Sequence, residues 1–118
     1  MRKICLLVII AGLLMSAPVF AADTIKIGEI ATITGDFAAF GDAEVQAIKL
    51  AVKEINEKGG VLGKKLEVIM YDCRTRNEDI VNAARRLTKQ DKVTAVIGPS
   101  GSGLCIAAAS VFNDAKVP

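Results

Sequence analysis

The sequence predicts an α/β domain, a doubly wound parallel sheet with helices on both faces. Three observations predict it. Short β-branched stretches alternate with longer amphipathic ones in the order strand, helix, strand, helix, strand, helix. Parallel strands need such helical crossovers, and the crossovers are right-handed. A glycine pair, Gly59-Gly60, separates the first helical stretch from the second strand. The third strand, Val93-Thr94-Ala95-Val96-Ile97, is nearly apolar on both faces, the pattern of a strand covered on both sides.

The chain has 118 residues, enough for one domain. Its first segment stands apart. Arg2 and Lys3 form a basic head, residues 4–15 are an unbroken apolar run, and residues 16–22 bring a proline and small residues. That order is a secretory signal peptide. The run is shorter than the ~20 residues a membrane-spanning helix needs. Signal peptidase requires small residues at −1 and −3. Cleavage after Ala21 puts Val19 at −3, whereas cleavage after Ala22 puts bulky Phe20 there. Residues 1–21 are therefore expected to leave a mature chain starting at Ala22, with Asp23 as the next-best start. Cys5 precedes the apolar core and goes with the leader.

Each later element has a local reason. Residues 24–30 alternate β-branched and polar side chains, as a strand does. Residues 34–41 read as a loop, with Gly35, Asp36 and Gly41 as turn residues. Residues 42–58 read as a helix with an apolar stripe of Val45, Ile48, Val52 and Ile55. Asp42 and Glu44 then fall in its first turn, where negative charge suits the helix dipole. Gly59-Gly60 ends it. Residues 66–71 form the second strand. Thr75 and Glu78 have capping-box spacing for a second helix reaching about Gln90. Residues 98–103 are a loop. Residues 104–114 read as a third helix, apolar nearly all round and hence well buried. Residues 116–118 look like the approach to a fourth strand.

Ligands bind such sheets beyond the carboxyl ends of the strands, where strand order reverses. If the first strand lies between the second and third, loops 34–41 and 99–103 border that crevice.

Composition excludes several functions. Without Arg2 and Lys3, the 15 basic residues become 13, equal to the 13 acidic ones. A formally neutral domain lacks the basic footprint of a nucleic-acid or membrane-surface binder. Arg74, Arg76, Arg85 and Arg86 read as a solvated helix face. There is no histidine, so Ser100 and Ser102 have no imidazole base. Residues 98–103 match no catalytic or nucleotide motif. Leu104 follows Gly103 where a P-loop needs lysine, Ile106 replaces the last glycine of a dinucleotide fingerprint, and Ser102 replaces the closing glycine of a nucleophile elbow. No metal-binding spacing occurs, no cofactor is expected, and the chain reads as no enzyme. Asp72, a lone carboxylate at a strand end, reads as a turn stabiliser.

What remains is a Gly/Ser loop opening a helix. The first amides of that helix lack backbone partners and suit an anion such as a carboxylate. Gly101, Ser102 and Gly103 are the candidate binding residues. The Ser102 hydroxyl can donate to the ligand, cap the helix, or do both. Phe40 can cover an apolar ligand group. Phe37 is expected to pack locally.

Several segments together carry a resemblance: Ile25-Lys26-Ile27-Gly28, Thr34-Gly35, Phe40-Gly41, the run from Ala51 through Asn56 and Gly59-Gly60 to Leu66, Tyr71-Asp72, and Val96-Ile97-Gly98-Pro99. In these the sequence resembles the bacterial Leu/Ile/Val-binding proteins, periplasmic receptors of branched-chain amino-acid ABC transporters. The resemblance implies the type I periplasmic binding fold, two lobes closing on an amino acid, with residues 22–118 a partial N-terminal lobe. It implies that Ser102 holds the ligand carboxylate and that Phe40 lines the cleft, where the family often has tyrosine. It implies ABC permease subunits as partners, a periplasmic location, and a monomer at full length. Some members carry a disulfide between the loops after strands two and three, which suggests Cys73 with Cys105. Cys105 lies past the usual partner position.

A different expectation is a truncated, non-functional fragment of such a receptor, since the chain stops at Pro118. Residues 22–118 alone would then expose apolar surface and an unpaired sheet edge. The resemblance also leaves another small carboxylate or an amide open as ligand.

Overall fold

A computed structural model describes residues 23–118. The signal peptide expected over residues 1–21 lies outside the described residues. The elements run β1 (Ile25–Ala31), α1 (Ala38–Glu57), β2 (Leu66–Asp72), α2 (Asn77–Arg86), a π-helical turn (Leu87–Asp91), β3 (Ala95–Ile97) and α3 (Ser102–Ala115). All strand pairs are parallel and the order is β2-β1-β3. The first strand is thus central, with loops diverging on either side of its carboxyl end.

The two faces are filled differently. Ile27, Leu66, Ala95 and Ile97 share one face with Ile48, Val52 and Ile55 of α1. On the other face Ile30, Cys73, Ile80, Leu87, Leu104 and Ala108 form the buried core beneath α2 and α3. Ile30, Ile80 and Leu87 are fully buried, each contributing roughly 1.5–3 kcal/mol of hydrophobic transfer energy.

The glycine stop after α1 is as expected. The Gly60 amide donates to the Ile55 carbonyl at 2.9 Å, and Gly59 and Gly60 have positive φ. Asn56 adds a tie to the next strand. Its Nδ2 donates to the Leu66 carbonyl at 2.9 Å, and its Oδ1 accepts the Leu66 amide at 2.7 Å. One side chain thereby replaces a strand neighbour at the start of β2.

Several local expectations are corrected. Helix α1 begins at Ala38, not residue 42, so Phe40 and Gly41 are helical and no acidic residue lies in its first turn. The expected capping box at Thr75 does not form. Helix α2 is preceded by an extended Arg76 without a side-chain cap. The Thr75 hydroxyl instead accepts the Phe37 amide and donates to the Thr34 carbonyl, each at 3.3 Å. A non-local demand outcompetes the local one. After Arg86 the second helix widens into the π-helical turn, which ends at Lys92 with φ 56°. Val93 is packed in the core and outside the strand, which shortens β3 to three residues.

Helix α3 is not buried all round. Leu104 and Ala108 face the core, whereas Ile106 is 75% exposed. The helix meets α2 on one side, and no described residue covers the other. Beyond it, the Pro118 carbonyl accepts the Val96 amide at 2.8 Å, so the chain does return beside β3. The suggested Cys73–Cys105 bond is absent. Cys73 is buried in the core, and Cys105 is exposed with its Sγ donating to the Pro99 carbonyl at 3.1 Å.

Candidate functional site

The crevice at the carboxyl edge is built by the segments after β1 and β3. Asp72, at the end of β2, shapes the first. Its carboxylate accepts the Thr34 hydroxyl at 2.6 Å and the amides of Ile33, Thr34 and Arg74. Burial pushes this carboxyl up, but those four donors outweigh burial and hold it below the ordinary aspartate range. Asp72 is therefore a saturated turn anchor, the role expected of it. Among the described residues, no three potential metal ligands cluster.

The second loop depends on glycine. Gly98 has φ 84°, and a Cβ there would lie 2.4 Å from the Ile30 carbonyl oxygen. Gly101 has φ 127°, a region closed to other residues without strain. The carbonyl of Gly101 accepts the amides of Leu104 and Cys105 at 3.1 and 3.0 Å. The amides of Ser102 and Gly103 precede those bonds and open the helix toward the crevice. No side chain caps α3, so capping is not the role of Ser102.

Two adjoining hollows result. One, of about 300 Å³, is lined by Phe37, Asn77, Gly101, Ser102, Gly103 and Leu104. The other, of about 220 Å³, is lined by Phe37, Phe40, Ser100 and Gly101. Phe37 and Gly101 border both. The rings of Phe37 and Phe40 meet edge to face, 6.5 Å between centroids, and the Phe40 ring is 66% exposed. All the lining residues are uncharged. The donors lie on α3 and the aromatic surface on α1, a division suited to a small molecule with a carboxylate at one end and an apolar group beside it.

The structure thus brings Gly101, Ser102 and Gly103 together in one hollow and places Phe40 in its neighbour. Phe37, expected only to pack locally, lines both. Asn77, the first residue of α2, also lines the first hollow, and no motif in the sequence singles it out. The available signal was topological, because every strand-to-helix junction of a parallel sheet lies on the same edge.

The periplasmic binding protein family matches residues 24–118. Over all 118 residues the chain is 36% identical to Leu/Ile/Val-binding protein homolog 7 of Brucella suis, and it covers 29% of that protein. It matches the crystal structure of LivJ, the branched-chain amino-acid transporter substrate-binding protein of Streptococcus pneumoniae, solved with isoleucine. That match has a TM-score of 0.79 and 41% identity, over 81% of this chain and 28% of the other. The leucine-binding protein LivK of Thermotoga maritima matches with a TM-score of 0.73 and 35% identity, over 80% of this chain and 26% of the other. The chain spans less than a third of the length of these relatives, with the α/β sheet of the type I fold. The periplasmic binding protein family is the one to which this chain belongs.

Proposed function

We propose that the chain forms part of the first lobe of an extracytoplasmic receptor that binds a small apolar L-amino acid, of the branched-chain type, for uptake. The carrying observation is the pairing of the α3 amino terminus with Phe37 and Phe40 across two joined hollows. In this reading the Ser102 hydroxyl and the amides of Ser102 and Gly103 hold the ligand carboxylate. Phe40 and Phe37 cover its side chain. Among the described residues no carboxylate lines either hollow, and the family resemblance implies that a second lobe holds the ammonium group. Binding, not catalysis, is the activity. No cofactor takes part.

The same reading treats residues 1–21 as a cleaved signal and residues 22–118 as the opening of the mature receptor. The receptor works as a periplasmic monomer and hands its cargo to ABC permease subunits. Thermal melting of the exported protein with a panel of amino acids, amides and small carboxylates tests it. Leucine, isoleucine or valine should raise the midpoint most. A shift with amides alone, or with nothing in the panel, would refute the amino-acid assignment.

A further inference from the structure

Glu44 lies in the second turn of α1, half-buried, and faces the Gly98–Gly101 loop. The Ser100 hydroxyl donates to its Oε2 at 2.5 Å, across 56 residues of sequence. Its Oε1 lies against Gly98, 3.2 Å from where a Cβ on that residue would stand. One carboxylate therefore binds Ser100 and borders Gly98 at the other end of the Gly98-Pro99-Ser100 segment, and Pro99 between them is buried. Ser100 lines the hollow that it shares with Phe40. Phe40 and Glu44 are four residues apart on one helix and so lie on the same face. The next residues, Gly101 and Ser102, begin the donor end of α3.

We propose that Glu44 is the positioning residue of the ligand loop: through Ser100 it sets the distance between the donors of α3 and the aromatic wall of α1. The role rests on the binding site proposed above, although the tether itself can be read without ligand. The alternative is an ordinary stabilising contact. The two differ because a positioning group acts on affinity through Ser100, and an ordinary contact acts only on global stability.

The test uses the exported protein with Glu44→Ala, Glu44→Gln, Ser100→Ala and the Glu44→Ala/Ser100→Ala double variant. Two quantities are measured: L-isoleucine affinity by calorimetry, and ligand-free hydrogen exchange of the amides of residues 100–103. A charge-assisted hydrogen bond of this length predicts roughly tenfold weaker binding for each alanine variant, and no further loss in the double variant. Glutamine keeps an acceptor oxygen and should restore affinity to within about twofold. Loop exchange should quicken in both alanine variants and not in Glu44→Gln. Multiplying affinity losses, or a Glu44→Ala protein with wild-type affinity, would overturn the proposal. If the wild-type protein binds no amino acid, the functional reading fails and exchange alone decides. Quickened loop exchange then upholds the tether, and unchanged exchange overturns it.

Discussion

The Thr34 hydroxyl donates to Asp72 Oδ2 at 2.6 Å, joining the loop after β1 to the end of β2. With three amides on the same carboxylate, this bond fixes the turn that leads to Phe37 and Phe40. Replacing Asp72 with alanine orphans those donors and should cost about 1–3 kcal/mol in a urea titration. Asparagine should cost less. The lowered carboxyl of Asp72 has a pH signature. Its stabilisation is present above the ordinary aspartate range and is lost as pH falls through the lowered value. The Asp72→Ala penalty should therefore shrink in acid.

Glu29 has the opposite sign. It is 1% exposed, and its Oε1 has no hydrogen-bond partner among the described residues. Burial raises its pKa, the Glu44 carboxylate raises it further, and Lys49 opposes both. A carboxyl raised by folding contributes stability in its protonated form below the ordinary glutamate range. That contribution is lost as pH rises through the raised value. Glu29→Gln should therefore be more stable than wild type at neutral pH, by about 1 kcal/mol, with the difference vanishing in acid. Urea midpoints at acidic and neutral pH give the comparison.

Asn56 supplies both hydrogen bonds that start β2. Asn56→Ala leaves a backbone amide and carbonyl unpaired and should cost about 1–3 kcal/mol. Asn56→Asp keeps the acceptor and loses the donor, so it should fall between alanine and wild type.

Cysteine chemistry should follow exposure. Burial raises the Cys73 thiol, and its surroundings are packed. Cys105 is exposed. Alkylation of the folded mature protein should add one label quickly, at Cys105, and a second only after denaturation. Two equally fast labels would contradict the buried placement of Cys73.

Most local features of the fold were legible in the sequence, although the start of α1 was not, and contacts between distant residues were not. Strands β1 and β2 lie within one residue of the bounds expected for them, because a strand's two faces are written in consecutive residues. The Gly59-Gly60 stop is likewise local. Thr75 illustrates the limit. Its spacing to Glu78 matched a capping box, but the Thr34 carbonyl, 41 positions away, claims the hydroxyl. Helix α3 illustrates another. Its apolar composition predicts burial, but whether Ile106 is covered depends on surfaces distant in sequence. At the site, the position of Gly101, Ser102 and Gly103 at the start of α3 was legible because a Gly/Ser stretch between a strand and a helix is a local signal. Asn77 was not, since only the β2-β1-β3 order brings its helix start beside α3.

The central claim is that the α3 amino terminus holds a ligand carboxylate. Calorimetric titration of the exported protein with L-isoleucine and with L-isoleucinol, in which an alcohol replaces the carboxylate, tests it most directly. The claim predicts binding of isoleucine, no measurable binding of isoleucinol, and at least a roughly tenfold loss of isoleucine affinity in Ser102→Ala. Equal binding of the two ligands, or undiminished affinity in Ser102→Ala, would contradict it.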